Sequence, residues 1–383
     1  MKQKTPILRK NSTQTLLSSL ICVILGLVIG YVVLLVIEPS GAWQAIMAVI
    51  KNFFRYPAGN LRLKNLGNTL VKTAPLIMCS LSVLFAYKVG LFNIGVAGQY
   101  VIGAAAALYC ALTLALPWYV CLIAATLIAA ISGAIVGVLR AFCNVNVVIS
   151  GIMLNWISLY STNMVLFGAK DPAGTDTETL SKLGREISML PTMGLNKFFA
   201  DNKYVTIAIP ITVIVAIIIW IILDKTKLGY ELKATGNNLH AAKYCGMKEN
   251  RNIILTMAIS GALAGMGAGL YYLSDFEPWN VMSTAVPAMG FNGIAAAFLG
   301  GLHPIGAILS SLFIQHISLG GGYVDLSHYC AQIADLISSV IIYLCGFVLF
   351  FKLNMNKFLD RRDEKKQKKV TALAGNTEKG GKK

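Results

Sequence analysis

Charge is what this sequence has least of. Asp, Glu, Lys and Arg make up 13% of its 383 residues, where a soluble domain carries about 25%. Hydrophobic residues make up 56% and mean hydropathy is +0.66, which excludes a soluble globule. Metal and disulfide patterns are also missing. Cys22, Cys79, Cys110, Cys121, Cys143, Cys245, Cys330 and Cys345 form no C-x-x-C pair and read as core thiols. His240, His303, His316 and His328 have no ligand spacing, and no Ser/His/Asp set or acidic pair suggests catalysis. The chain therefore reads as neither an enzyme nor a metal protein. Gly375 and Gly380 lie near Lys382 and Lys383 without the G-x-x-x-x-G-K-[ST] pattern, so no P-loop binds ATP here. A cleavable signal peptide is not expected, because the run 15–37 is too long and lacks a small-residue cleavage site.

What is present is length without charge. Runs at 15–37, 99–116, 118–139, 147–169, 204–223 and 335–351 are each near or above the length that crosses a hydrocarbon core of about 30 Å. Inside lipid the backbone must satisfy itself, as helix. Three further stretches are apolar but interrupted: 74–87, 252–272, and 284–319, which splits near Gly300-Gly301-Leu302-His303-Pro304. The expectation is an all-α polytopic membrane protein of about ten transmembrane helices, one or more of them broken.

An even number of crossings returns both ends to one face, and the positive-inside rule chooses which. Residues 1–10 hold Lys2, Lys4, Arg9 and Lys10 with no acid; 352–383 hold eleven Lys or Arg against four acids, and 224–251 six against three. These three segments fall on one side, assigned to the cytoplasm. The balanced stretch 170–203, five against five, falls outside. Segment 38–73 is also placed outside, against the rule, since it carries Lys51, Arg55, Arg62, Lys64 and Lys72. The organisation is thus a cytoplasmic segment 1–14, a transmembrane domain 15–351 with an external loop 170–203 and a cytoplasmic loop 224–251, and a basic tail 352–383 expected to be disordered. The net charge of +16 sits mostly in the two ends, where anionic lipid headgroups attract it; nucleic acid is not an expected partner.

The spans lack buried ionisable groups, which ion-driven transporters commonly carry; Lys72, Lys88 and Arg140 sit at span edges. An energy source outside the chain follows. The loop "DKTKLGYELKATGNNLHAAKYCGMKENR" (224–251) has Asn237 or Asn238 as a candidate N-cap, a short run from Leu239 to Cys245, and Gly246 in the position that closes a helix. It reads either as a solvated surface helix or as one that docks on a cytoplasmic partner.

Amides within apolar sequence mark the candidate path. "GLFNIGVAGQ" (90–99) follows a break at Lys88-Val89-Gly90 and re-enters the bilayer, which irregular backbone tolerates only when buried in protein or lining a wet cavity. Asn93 and Gln99 either brace that junction or touch a polar solute, and Gly95 and Gly98 permit close helix approach. Asn155 lies mid-span and needs a partner, with Ser150 on roughly the same side and Trp156 offering a ring face. Asn292 in "GFNG" sits where a helix restarts. G-x-x-x-G at 26–30, 133–137, 261–265 and 265–269 is read as packing within the subunit. Asp275 and Glu277 are placed on the outer face, either solvated or meeting a binding protein.

Four blocks in order carry a family resemblance: "GLFNIGVAGQYVIGA" (90–104), "NVNVVISGIMLNWI" (144–157), "GYELKATGNNLHAAKYCGM" (229–247) and "GFNGIAAAFLGGLHPIG" (290–306). They resemble permease subunits of bacterial ABC importers in the branched-chain amino acid and ribose group, most of all the simple-sugar and nucleoside permeases that work with a basic-membrane-protein-type lipoprotein. The likeness runs from about residue 15 to 351. It implies a bacterial plasma-membrane importer whose ATP is used by cytoplasmic ABC ATPase subunits, with no cofactor bound by this chain. It also implies a second related permease, an extracytoplasmic solute-binding lipoprotein and a small-molecule substrate. The segment from Gly229 to Gly246 is similar to the family's coupling loop, which assigns ATPase contact to Gly229, Glu231, Ala234, Gly236, Leu239, Ala241, Ala242, Tyr244 and Gly246. Nucleosides are the expected solute, simple sugars such as ribose the alternative; a self-contained channel or ion-coupled carrier is the reading from another class.

Overall fold

A computed structural model of the chain describes residues 11–324 and scattered positions between 329 and 357. Expectations about residues 1–10, His328, Cys330, Cys345, part of 335–351 and the far tail lie outside the described residues. Thirteen α-helices follow one another: α1 (Asn11–Ile37), α2 (Ala42–Lys51), α3 (Gly59–Lys88), α4 (Val96–Leu108), α5 (Trp118–Cys143), α6 (Val147–Leu166), α7 (Leu195–Phe198), α8 (Ala208–Lys225), α9 (Lys227–Asn237), α10 (Leu239–Tyr244), α11 (Glu249–Tyr272), α12 (Ala288–Leu299) and α13 (Pro304–Gly321). Among the described residues there are two isolated β-bridges and no strand. Among the described residues seven helices are long and apolar enough to cross a membrane: α1, α3, α4 with its extension to Thr113, α5, α8, α11 and α13. The 20-residue α6 covers the run at 147–169, and the shorter α12 is apolar too. The stretch 284–319 divides into α12 and α13 at the Gly300–His303 turn, as its glycines lead one to expect.

Burial sorts the helices into a centre and a rim. The apolar window of α3 is 89% buried, while those of α1 and α8 are 28% buried, α1 exposing a stripe through Leu20, Ile24, Val28 and Val32 and α8 one through Ile214, Ile217, Ile218 and Ile221. Glycine lets the central helices touch. A Cβ on Gly133 of α5 would lie 2.2 Å from the Met257 carbonyl oxygen, and one on Gly261 of α11 would lie 2.3 Å from that of Ala129. The G-x-x-x-G pairs at 133–137 and 261–265 therefore serve packing inside this chain, where close backbone approach replaces the hydrophobic drive that lipid removes.

Three local expectations change. Residues 38–73 are not one external loop: α2 occupies part of them and α3 begins at Gly59. Along the polar first half of α3, Asn65, Thr69 and Thr73 donate back to the carbonyls of Leu61, Asn65 and Thr69 at 2.7–2.9 Å, so these side chains are satisfied within their own helix. This turn-by-turn bonding leads directly into Pro75, which lacks an N–H. Second, the run 99–116 is α4 followed by a π-helical turn from Tyr109 to Thr113. Third, the loop 224–251 contains α9 as well as the expected short helix. Thr226 caps α9 by accepting from the Gly229 N–H at 3.1 Å, and Asn238 caps α10 by accepting from the Ala241 N–H at 3.0 Å. Gly246 closes α10 at φ +77°, in the left-handed region that glycine enters without strain.

Candidate functional site

The break after α3 is a turn, then a buried polar knot. The N–H groups of Val89 and Leu91 both return to the Ala86 carbonyl, and Gly90 takes φ +78°. Four residues later the chain starts α4 beside α6 and α11. Asn93, fully buried, donates through Nδ2 to Gln99 Oε1 at 2.8 Å and to Ser260 Oγ at 2.7 Å. Ser260 donates in turn to the Ser82 carbonyl at 2.8 Å, tying α3, α4 and α11 together. Asn93 Oδ1 and Gln99 Nε2 have no partner among the described residues. One amide thus leaves an acceptor and the other a donor in the same buried place.

Asn155 has both ends of its amide engaged. Its Oδ1 accepts from the Gly98 N–H at 2.7 Å, and its Nδ2 donates to the Ile94 carbonyl at 3.2 Å. The Gly98 N–H belongs to the first turn of α4, which has no partner inside its own helix; Asn155 supplies it from α6. The approach is close because a Cβ on Gly98 would stand 2.6 Å from Asn155 Cα. Ser150 donates only to carbonyls of its own helix, those of Asn146 and Val147. Trp156 lies on the outward stripe of α6 with Ile149, Met153 and Tyr160, stacked on Tyr160 at 6.2 Å and 44% exposed. The structure brings Asn93, Gln99 and Asn155 to one junction and leaves Ser150 and Trp156 outside it.

Asn292 stands elsewhere. Together with Tyr100, Tyr271, Tyr272, Trp279 and Gln315 it lines a cavity of about 330 Å³, at the end of α11 away from α10. The walls are aromatic: the rings of Tyr272 and Trp279 meet edge to face at 5.8 Å, and those of Tyr100 and Tyr272 are tilted at 6.2 Å. Lys72 and Glu277 stand on the same wall, 3.4 Å apart, and the Tyr271 hydroxyl donates to Glu277. Trp279 is fixed through its indole N–H, which donates to Asn163 Oδ1 at 3.0 Å. The 170–203 loop covers this end. Its Thr177 N–H donates to the Trp279 carbonyl at 2.7 Å, and Asp275 accepts from the N–H groups of Leu180 and Ser181. Asp275 therefore holds the loop down, where only solvent or a docking partner was foreseen. Within the loop, Lys182 bonded to Asp171 at 2.6 Å holds that carboxyl below the usual carboxylate range. The aromatic wall was not foreseen; "YYLSDFEPWN" (271–280), rings and acids crowded at a span end, was the signal for it.

At the other end of α11 lies the α9–α10 pair. A Cβ on Gly236 would stand 2.3 Å from the Val89 carbonyl carbon and oxygen, so α9 rests directly on the α3–α4 break. Gly229 is similarly tight against α8, where a Cβ would meet the Ile222 carbonyl oxygen at 2.1 Å. Asn252 of α11 donates to Thr235 Oγ1 at 2.8 Å, and Thr235 donates to the Glu231 carbonyl. Glu231 also pairs with Lys227 across one turn, and Ala234 accepts from the Asn238 N–H. On α10, Ala242 is 4% exposed and packs inward, whereas Tyr244 is 94% exposed; Leu239, Ala241 and Gly246 are exposed as well. The free face of this helix is thus that of Leu239, Ala241 and Tyr244.

Residues 65–346 match the family described as "Branched-chain amino acid transport system / permease component". The chain is 33% identical over 349 residues to the guanosine ABC transporter permease protein NupP of Bacillus subtilis, covering 89% of this chain and 96% of the relative. It is 31% identical over 359 residues to the nucleoside ABC transporter permease protein NupB of Lactococcus lactis, covering 91% and 95%. The glucose ABC transporter permease protein TsgB13 of Haloferax volcanii is 27% identical over 309 residues, covering 78% and 80%. No solved structure matches the chain.

Proposed function

We propose, for a chain that belongs to the branched-chain amino acid transport system permease family, that it forms one side of the path by which an ATP-driven importer takes up nucleosides. The chain is a multi-pass protein of the plasma membrane and the permease component of an ABC transporter; it is not the ATPase. Nine helices and the apolar run 335–351 would make ten crossings, with both ends and the α9–α10 pair on the cytoplasmic side. The aromatic cavity then opens toward the outside, below the 170–203 loop. Ring faces at Tyr272 and Trp279 suit a base, and Asn292, Gln315 and Glu277 offer partners for sugar hydroxyls. Its volume falls in the range of small-ligand pockets, about 300–1,000 Å³. Asn93 Oδ1 and Gln99 Nε2, buried at the α3–α4 junction without a partner among the described residues, are further groups with which a solute or its water would pair.

The observation that carries this reading is the contact of α9 with the break. A cytoplasmic ATPase that moves the exposed face of α10 would move α9, and α9 touches both the turn at Val89-Gly90 and, through Thr235 and Asn252, the helix that ends in the cavity. We assign ATPase contact to Leu239, Ala241 and Tyr244. Gly229, Glu231, Ala234, Gly236, Ala242 and Gly246 shape the pair that presents them. A second related permease would complete the path, and an external solute-binding lipoprotein would deliver the solute to the loop-covered end. The nucleoside assignment leans on the relatives of 33% and 31% identity; the glucose permease at 27% keeps sugars as the alternative.

The deciding experiment is uptake of labelled nucleosides and of labelled ribose and glucose by cells that carry the permease with its neighbouring transport genes, with and without an ATPase-dead partner. Nucleoside uptake abolished by the dead ATPase is the expected result. Sugar uptake abolished in the same way would move the chain to the sugar branch. Uptake that persists would make it a self-contained carrier and overturn the proposal.

A further inference from the structure

At the end of the bundle that holds α9, a second cavity opens between α1, α13 and the end of α3. It measures about 560 Å³. Its body is aliphatic and aromatic, with Leu20, Leu309 and Phe313 among its walls, and Leu20 and Leu309 are 52% and 64% exposed. Its rim carries the two cations Lys88 and Lys352, with the His303 imidazole beside them. No Asp or Glu lines it. Asp224, whose charge reaches Lys88, is bound to Lys233 at 2.7 Å. His303 accepts from the Ile305 N–H through Nδ1, which leaves Nε2 as a donor. The same residues begin α13, an 18-residue helix whose first-turn N–H groups and dipole favour an anion.

An apolar groove with a cluster of cations at one end has the amphiphilic shape of a lipid turned inside out. We propose that this groove is a site for one anionic phospholipid, its phosphate held by Lys88, Lys352 and His303 and its acyl chains lying along α1 and α13. Cationic pockets between spans on the cytoplasmic side suit such headgroups. Two like charges, Lys88 and Lys352, sit close enough to repel one another, and a phosphate between them turns that repulsion into attraction. Zwitterionic lipid offers the same chains without the net charge, so the rim selects for headgroup and the body for lipid as such. The site is independent of the solute; only its placement in the inner leaflet rests on the orientation proposed above.

The test uses the full transporter, assembled with its ATPases and second permease, equilibrated with phosphatidylcholine vesicles or with vesicles of phosphatidylcholine and phosphatidylglycerol. Lipid retained after purification is then read by native mass spectrometry. One phosphatidylglycerol per permease is expected. Lys88→Gln and Lys352→Gln should each lower its retention about five-fold, the effect of about 1 kcal/mol per cation, and Leu309→Trp, which fills the body of the groove, should abolish it. Equal retention of phosphatidylcholine and phosphatidylglycerol overturns the proposal, as does retention unchanged by both lysine variants. A Leu309→Cys variant that cross-links to the second permease also overturns it, because the groove would then be a subunit interface. Retention is measured without transport, so it fails or succeeds apart from the nucleoside assignment.

Discussion

A single methyl group at residue 236 should uncouple transport while leaving the protein in the membrane. In Gly236→Ala the new Cβ would lie 2.3 Å from the Val89 carbonyl carbon and oxygen, where ordinary contact starts at 3.4 Å. Backbone cannot yield as a flexible side chain does, so α9 must retreat from the α3–α4 turn by about 1 Å, enough to stretch a 2.8 Å hydrogen bond beyond useful length. The bond at risk is that from Asn252 to Thr235 Oγ1, at 2.8 Å. Losing it costs about 1 kcal/mol, or about five-fold in the population of the seated arrangement. Alanine also favours helix over glycine by about 1 kcal/mol, so the stability of α9 is roughly unchanged while its position is not. The assay compares initial uptake rate with membrane abundance and with ATP hydrolysis by the assembled transporter. Abundance and basal hydrolysis should stay near wild type and uptake should fall about five-fold. Wild-type uptake at equal abundance would refute the idea that motion passes through this contact.

Other substitutions separate bracing from solute contact. Asn155→Leu leaves the Gly98 N–H and the Ile94 carbonyl unpaired, a cost of about 2–4 kcal/mol at about 1–2 per group; heat-induced loss of monodisperse protein in detergent should come earlier. Unchanged thermal behaviour with lost uptake would instead put this amide on the solute. Glu277→Gln breaks a partly exposed ion pair with Lys72, worth about 0–1 kcal/mol, so abundance should hold while half-saturation of nucleoside uptake rises several-fold; an unaltered concentration dependence counts against the cavity. Ala242→Trp forces a large ring into an inward-packed position and should lower abundance. Tyr244→Ala should keep abundance and reduce ATPase co-purification several-fold, and undiminished co-purification would remove Tyr244 from the interface.

How far the sequence reached depended on whether the informative partner lay nearby. The α10 cap was legible because its parts, Asn238, Ala241 and Gly246, lie within one short stretch. So was the break at Lys88-Val89-Gly90, since a lysine with a glycine two residues on interrupts an apolar run locally. The amides were legible as polar atoms in need of partners, and bracing the junction was one of two readings for Asn93 and Gln99, but the residues they pair with were not legible. Asn93 finds Ser260 167 positions away and Asn155 finds Gly98 57 positions away, and nothing local announces either pairing. Helix α9 was missed for the opposite reason: its polar face resembles a loop, and its helicity rests on the Thr226 cap and on glycines pressed against α8 and Val89. The 38–73 stretch misled because charge was taken to mean loop, while α3 runs through its second half with polar side chains bonded to carbonyls of their own helix. Trp156 drew attention as the aromatic next to an amide, yet on a helix adjacent residues point about 100° apart, so an inward Asn155 sends Trp156 outward. The rings that do line a cavity, Tyr100, Tyr272 and Trp279, come from segments up to 179 residues apart, and in a single sequence each reads as ordinary core. Local signals thus located the helix break, the short helix and the buried amides, and only the fold showed which of them touch.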